Sequence, residues 1–376
     1  MGISPVDFYS CLADHNVIFF TGVPDSLLKE FCLCVDDKVP NERHVITANE
    51  GNAVAMAAGY HLGTGKLPLV YMQNSGLGNA VNPLLSLCDP DVYSIPMLIM
   101  IGWRGEPGFS DEPQHVKQGK IQLELLETMD IPYVVISKDE KNIKQKITTG
   151  IEQTIKENRP FVFLVKRGTF EKYRIPESII DNSLMTREES LETILSQLPD
   201  DCIIVSTTGL TSREIFEIRG KNREPHFRDF LTVGSMGHCS SIAHGISIAQ
   251  PNRQVICIDG DGSLIMHMGS LSTVGKLKPP NFFHVLINNF VHESVGGQGT
   301  SAKFIDMVNL VKSNGYRSVF SVEDGSQLKS QLEDFLKSNG PCFLEIKVRP
   351  GFRDDLGRPT IKPVDNKIAF MEFLKE

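Results

Sequence analysis

Short apolar runs recur along the chain, separated by longer stretches in which apolar residues return every three or four positions. The runs read as buried strands and the longer stretches as helices packed against them. In the first half, strands are predicted at Val17–Phe20, His44–Thr47, Leu67–Met72, Pro96–Gly102, Pro132–Ile136 and Phe161–Val165. Between them, helices are predicted at Ser4–Asn16, Leu27–Val35, Ala53–Tyr60, Ala80–Leu87 and Glu140–Glu157, the first with Ser4 as N-cap and Pro5 in its opening turn. The second half repeats the pattern, with strands predicted at Cys202–Val205, Phe230–Val233, Val255–Ile258, Phe282–Ile287, Ser318–Val322 and Cys342–Val348. Its helices are predicted at Arg187–Gln197, up to Ile248, at Gln327–Lys337 and at Asn366–Leu374. Strands alternating with helices predict an α/β fold with two doubly wound parallel sheets. One would occupy residues 1–170 and the other 187–376, with a linker of mixed polarity containing Pro176 over 171–186.

Composition narrows the class of function. A chain of 376 residues is long enough for two buried cores, and its 41% hydrophobic and 22% charged content is that of a globular protein. The formal charge of -8 gives no support to nucleic-acid binding, which favours a basic stripe. No apolar run approaches the roughly 20 residues of a membrane span, and no basic stretch with a signal-peptide core opens the sequence, so a cytoplasmic protein is expected. Eight dispersed cysteines, several within apolar segments, read as reduced core thiols. Cys32 and Cys34 form the only close pair in sequence, and no second pair or histidine set completes a zinc pattern.

The strongest chemical signal follows the run Val255–Ile258. Asp259-Gly260-Asp261-Gly262 reads as a strand ending in a tight turn, with 25 residues (263–287) before Asn288-Asn289. That length suits a helix and a return strand, and a right-handed crossover would make the two strands parallel neighbours. Ligands of open parallel sheets sit outside the carboxyl ends of the strands, where this pattern sets a carboxylate, an amide pair and glycines. Gly260 and Gly262 lack Cβ, so their backbone N–H groups can approach a diphosphate, and Asp261 can hold the divalent cation that neutralises it. Taken alone, an ordinary strand-to-helix turn would explain GDG, with the asparagine pair as the cap of another helix.

Other turns at predicted strand ends carry chemistry of their own. Asp25 lies in Thr21-Gly22-Val23-Pro24-Asp25-Ser26, either as a helix cap or facing a ligand. Glu50, in Ala48-Asn49-Glu50-Gly51-Asn52, either serves a helix dipole or is a buried group whose proton does chemistry. The stretch 103–120 reads as a loop with Arg104, His115, Lys117 and Lys120, which is either solvated surface or a recognition site for an anionic substrate. Ser206–Ser212 is a hydroxyl-rich turn able to cradle phosphate oxygens. No GxGxxG joins a strand to a helix with an acidic partner beyond it, which argues against a dehydrogenase.

GDG, 25 residues and NN, preceded by GSMG and by the early Glu of NEGNAVAMAAGY, resemble the thiamine diphosphate-dependent 2-oxo acid decarboxylases. The resemblance spans essentially the whole chain, without the central third domain of longer members. Within the family, TGVPDSLL, IGWRGEPG, DEPQHVKQGK and ESVGGQ are similar to the phosphonopyruvate decarboxylases, with the sulfopyruvate decarboxylases as the rival group. The resemblance implies thiamine diphosphate and Mg2+ as cofactors, a pyrimidine-binding domain over 1–170 and a diphosphate-binding domain over 187–376. It assigns Mg2+ to the side chains of Asp261 and Asn289 and the backbone carbonyl of Val291. Diphosphate would fall to Gly260, Gly262 and Ser263, with Thr208 and Gly209 contributing. The Gly234-Ser235-Met236-Gly237 loop would lie under the cofactor, Met236 enforcing its bent shape and the Gly234 carbonyl accepting from its amino group. Phe290 stands where many members have Gly or Asp.

Glu50 would hydrogen-bond the pyrimidine ring and promote loss of the thiazolium C2 proton. Asp25 and His115 would carry proton transfers around the substrate, with His292 as a third choice, while Arg104, Lys117 and Lys120 would grip a phosphonate. Family members place the Glu-bearing domain of one subunit against the diphosphate-binding domain of another, which implies at least a homodimer with sites between chains. The implied reaction is non-oxidative decarboxylation of a small anionic 2-oxo acid, 3-phosphonopyruvate giving phosphonoacetaldehyde and CO2. Its rivals are sulfopyruvate decarboxylation, carboligation, and a non-catalytic cofactor-binding regulatory subunit, against which Glu50 argues.

Overall fold

A computed structural model describes residues 2–175 and 183–375. The chain forms two compact units, the first over Met1–Glu177 and Val295–Gln298 and the second over Ser178–Ser294 and Gly299–Glu376. Of the expected linker, residues 176–182 lie outside the described residues. Ahead of them, Tyr173 is tied to the first unit: its N–H donates to Glu30 Oε2 at 2.7 Å and its hydroxyl to Asp37 Oδ2 at 2.6 Å.

The first unit is a six-stranded parallel sheet of β1 (Phe19–Gly22), β2 (His44–Ile46), β3 (Pro68–Gln73), β4 (Leu98–Gly102), β5 (Tyr133–Ile136) and β6 (Phe161–Val165), in the order β2-β1-β3-β4-β6-β5. Its strands read as continuous apolar runs because both faces are covered: β1, β4 and β6 are buried at every position. The helices are α1 (Pro5–Asp14), α2 (Lys29–Lys38), α3 (Glu50–Thr64), α4 (Leu77–Pro83), α5 (Pro113–Lys120), α6 (Gln122–Thr128) and α7 (Ile143–Glu157). Phe8 of α1 meets Phe31, Phe163 and Phe170 edge-on beneath one face of the sheet. A buried side chain of that size contributes about 1.5–3 kcal/mol relative to exposure. The loop expected over 103–120 is corrected at its far end, where Pro113 opens α5.

The second unit is again a six-stranded parallel sheet: β7 (Ile203–Ser206), β8 (Asp229–Leu231), β9 (Val255–Gly260), β10 (Phe282–Asn288), β11 (Ser318–Val322) and β12 (Cys342–Lys347), in the order β11-β12-β10-β9-β7-β8. The crossover read from the spacing is present, with Phe282 to Ile287 paired in parallel register against Val255 to Gly260. Helices α8 (Arg187–Leu195), α9 (Leu210–Lys221), α10 (Cys239–Ala249) and α11 (Asp261–Met266) follow in chain order, and further helices span Ser270–Leu277, Met307–Ser313, Gly325–Lys337 and Pro363–Phe373. Thr186 starts α8 with a reciprocal capping box to Glu189. No helix among the described residues is long and apolar enough to cross a membrane.

Candidate active site

At the carboxyl edge of the first sheet, two acids sit over glycines. Asn49 caps α3 by accepting the Asn52 N–H at 2.9 Å, which makes Glu50 the first helical residue and turns it inward, 5% exposed. Asn79 Nδ2 donates to Glu50 Oε2 at 2.8 Å. The other oxygen, Oε1, lies over Gly76, where a Cβ would come within 2.2 Å of it. Gly76 has an ordinary helical backbone (φ -75°), so glycine is required there for space alone. Burial pushes the Glu50 carboxyl above its usual range, and the Asn79 amide only partly offsets this.

Asp25 is fully buried and built the same way. Gln73 Nε2 donates to its Oδ1 at 2.7 Å and the Leu27 N–H to its Oδ2 at 2.9 Å. A Cβ on Gly102, at the end of β4, would lie 2.0 Å from Oδ2. Burial raises this carboxyl too, against those two hydrogen bonds and the charge of Arg104.

Arg104 leaves β4 beside Asp25, and its guanidinium is already engaged: Nε donates to Asp111 Oδ2 at 2.9 Å, Nη2 to Asp111 Oδ1, and Nη1 to Ser26 Oγ at 3.0 Å. Burial opposes the Asp111 charge, yet Arg104 and the Gly105 N–H hold that carboxyl well below the usual range. Arg167 Nη2 lies 3.2 Å from Asp111 Oδ2 and adds a second cation. His115, on α5, is buried within the influence of this group; desolvation, then the charge of Arg104, lowers its imidazole to about 4, and Nδ1 has no protein partner. The structure thus gathers Asp25, Arg104 and His115, while Lys117 and Lys120 stand exposed on α5. Of the three cations expected to grip an anionic substrate, Arg104 is paired with Asp111 and Lys117 and Lys120 lie on the surface of α5.

The second edge gathers oxygens and open backbone. Asp261 opens α11, buried at 3% exposure, and burial pushes its carboxyl up to about 6 against hydrogen bonds from Thr300 and from the N–H groups of Gly262 and Asn289. The Thr300 hydroxyl donates directly to Asp261 Oδ2. Asn289 Oδ1 accepts the Val291 N–H at 3.2 Å, which folds the turn back on itself. At the summit of that turn Phe290 takes φ 63°, a left-handed conformation easy for glycine and costly by roughly 1–2 kcal/mol for other residues. Val291 and His292 are half-buried beyond it.

Two loops meet here. The Gly237 N–H donates to Ser263 Oγ at 3.1 Å, and a Cβ on Gly262 would come within 3.4 Å of Met236 Cε and 2.9 Å of His292 Cε1. Ser235 (φ 53°) and Gly237 (φ 85°) both use left-handed backbone to make the bend after Gly234. Gly209 (φ 93°) does so after Thr208, at the start of α9. Gly260 has only Thr207 Cγ2 near its missing Cβ, at 3.8 Å.

On the paired strands β9 and β10, Cys257, Asp259 and His284 converge without exposure. Asp259 Oδ1 accepts the Gly260 N–H at 2.9 Å, and His284 Nε2 lies 3.5 Å from Asp259 Oδ2. Burial opposes protonation of His284, but Cys257 and Asp259 push it up to about 10. All eight cysteines are buried and free, and Cys239 Sγ lies 3.5 Å from Cys257 Sγ, a pair far apart in sequence. The partners that seat the acids, Asn79, Gln73 and Thr300, were not readable beforehand, since each comes from a segment with no fixed spacing to its acid.

The residues of this second edge fit a metal-bound diphosphate. A buried carboxylate raised by desolvation is relieved by a cation, and Gly262 and Gly209 keep the backbone bare where phosphate oxygens would approach. Comparison with known proteins gives the same class. Residues 7–126 match the model of the thiamine pyrophosphate enzyme N-terminal TPP binding domain, and residues 207–346 that of the C-terminal TPP binding domain. The chain belongs to the thiamine diphosphate-dependent 2-oxo acid decarboxylases, which are carboxy-lyases. It is 34% identical to a phosphonopyruvate decarboxylase of Streptomyces viridochromogenes, over 99% of this chain and 95% of that protein. A second protein of that name, from Streptomyces hygroscopicus, is 33% identical over 100% of this chain and 94% of its own length. A sulfopyruvate decarboxylase of Methanosarcina acetivorans is 28% identical over 88% of this chain and 87% of that protein. Family membership brings thiamine diphosphate as cofactor, with Mg2+ as its usual partner metal.

Proposed function

We propose that this chain decarboxylates 3-phosphonopyruvate to phosphonoacetaldehyde and CO2, a step of phosphonate biosynthesis, in the cytoplasm and as a homo-oligomer with sites between chains. The observation that carries the substrate is similarity along nearly the full length to two proteins named phosphonopyruvate decarboxylase, above that to a sulfopyruvate decarboxylase.

When bound, thiamine diphosphate supplies an electron sink for the loss of CO2, and Mg2+ neutralises its diphosphate. Asp261 and Asn289 hold the metal through side-chain oxygens and Val291 through its carbonyl. Gly260, Gly262 and Ser263, with Thr208 and Gly209, receive the diphosphate, while Gly234, Ser235, Met236 and Gly237 shape the floor. Glu50 keeps a proton available at Oε1, the oxygen that Asn79 leaves unclaimed. A carboxyl raised by burial holds its proton more readily than an exposed one and can still pass it on, a role an amide lacks. Asp25 and His115 handle protons beside the substrate, His115 as a neutral imidazole. Arg104, oriented by Asp111, presents charge to the anionic end of the substrate, with Lys117 and Lys120 at the outer face of α5.

Steady-state kinetics on phosphonopyruvate, sulfopyruvate and pyruvate test this reading. The highest kcat/KM is expected for phosphonopyruvate; the highest value for sulfopyruvate would sink the substrate assignment. Sedimentation of the holoenzyme as a monomer would sink the shared-site arrangement.

A further inference from the structure

Behind Asn289 lies a buried ion network that none of the roles above uses. Asn289 Nδ2 donates to Glu293 Oε2 at 3.2 Å, and the same oxygen accepts from Arg187 Nη1 at 2.5 Å. Arg187 is clamped in turn by both oxygens of Glu214, through Nε at 2.7 Å and Nη2 at 2.8 Å. The second oxygen of Glu293 accepts the Gly351 N–H. Arg187 is 5% exposed, Glu214 1% and Asn289 7%, and the Glu293 side chain is 10% exposed. A fork held on both sides in this way has one orientation, which is the geometry in which Arg fixes carboxylates.

Two consequences follow from the chemistry of the partners. A carboxylate only accepts, so Glu293 takes the NH2 end of the Asn289 amide and turns Oδ1 away from itself. On that side Oδ1 meets the Val291 N–H, and the Asn289 N–H reaches the Asp261 carboxylate. The network also holds two carboxylates for one guanidinium, so it sets surplus negative charge directly behind the amide.

We propose that Glu293, seated by Arg187, is a positioning residue for the divalent cation: it fixes which end of the Asn289 amide faces the metal and supports the bound charge from behind. The proposal rests on the reading of Asn289 as a metal ligand. Partners of this kind, one bond removed from the metal, typically change affinity by about 10–100-fold when lost.

The test is Mn2+ titration of the full-length protein saturated with thiamine diphosphate, with free Mn2+ read by electron paramagnetic resonance. Glu293→Gln is expected to weaken Mn2+ binding by roughly 10–100-fold, and kcat at saturating Mn2+ to stay within about threefold of wild type, a split a proton-transfer residue would not show. Arg187→Lys, which keeps the charge but loses the fork, is expected to weaken binding in the same direction, with little added loss in the double variant. Mn2+ affinity within about twofold of wild type in a folded Glu293→Gln protein would overturn the proposal. If that variant does not fold, the Arg187→Lys titration decides by the same criterion. Wild-type Mn2+ affinity in Asn289→Ala would instead remove the ligand reading beneath the proposal, and the proposal with it.

Discussion

The two sheets share one strand order. Counted within its own unit, each runs second, first, third, fourth, sixth, fifth. Equivalent strand ends therefore carry equivalent loops, and the comparison shows what each unit has done with them. After the first strand come Val23–Asp25 in one unit and Thr207–Gly209 in the other; after the second, Glu50 and the Gly234–Gly237 bend; after the third, Asn74–Gly76 and Asp261–Ser263; after the fourth, Arg104 and Asn289. The first unit spends its glycines on making room for acids: Gly76 under Glu50 and Gly102 under Asp25. Both acids have neutral amides as their nearest side-chain partners, Asn79 and Gln73, so burial decides their protonation. In the second unit, glycines keep the backbone open, and a carboxylate, an amide and a hydroxyl converge. On the function proposed above, one scaffold would carry proton chemistry in the first unit and hold a charged cofactor in the second.

The largest effect that would break this division is expected at Asp261. Replacing it with Asn substitutes a neutral isostere for a carboxylate that burial already raises to about 6, so the fold should survive. Metal-dependent retention of thiamine diphosphate should fall by more than the roughly 100-fold of a supporting residue, read by calorimetry with and without Mg2+. Retention near the wild-type level would mean that the second unit does not hold the cofactor through this carboxylate.

Next in size is Gly76→Ala. The added methyl cannot coexist with Glu50 Oε1, and overpacking costs about 1–3 kcal/mol of stability. Displacing the acid by even about 1 Å is expected to lower kcat on the order of 100-fold while cofactor affinity holds, because the proposed diphosphate cradle lies in the other unit. Equal losses of kcat and cofactor affinity would erase the contrast between the units.

The smallest effect is a pH dependence of stability. The folded pKa of His115, about 4, lies below the ordinary value of about 6.5, so its contribution is present above about 6.5 and is lost as pH falls towards 4. Over that window wild type should lose stability relative to His115→Gln in thermal melts, with the difference constant at higher pH. A constant difference throughout would show that the imidazole is not held neutral by burial.

How much of this was legible in the sequence depends on the range of the interaction. A strand buried on both faces announces itself as a continuous apolar run, as Phe161–Val165 does, and the half-exposed edge strand Ser318–Val322 also falls where the pattern put it. The GDG and NN turns were legible because a crossover fixes their spacing, and β9 and β10 are parallel neighbours as that spacing required. Helix α5 was missed since PQHVKQGK has a glycine near its end and few apolar residues to show a period. The partner of Arg104 was not legible for another reason: nothing in the sequence singles out Asp111, seven residues on, from the other acids of that loop. Thr300 gave no signal, and Glu293 stood out only as part of ESVGGQ with no role attached, because their partners Asp261 and Arg187 come from distant segments and only the folded unit joins them.

The most direct test of the division is the rate of exchange of the cofactor's C2 proton in Glu50→Gln at saturating thiamine diphosphate and Mg2+. The account predicts that exchange falls by at least about 100-fold while the cofactor stays bound with near wild-type affinity. Wild-type exchange in that variant would contradict it, and would remove Glu50 and the first unit from the proton chemistry.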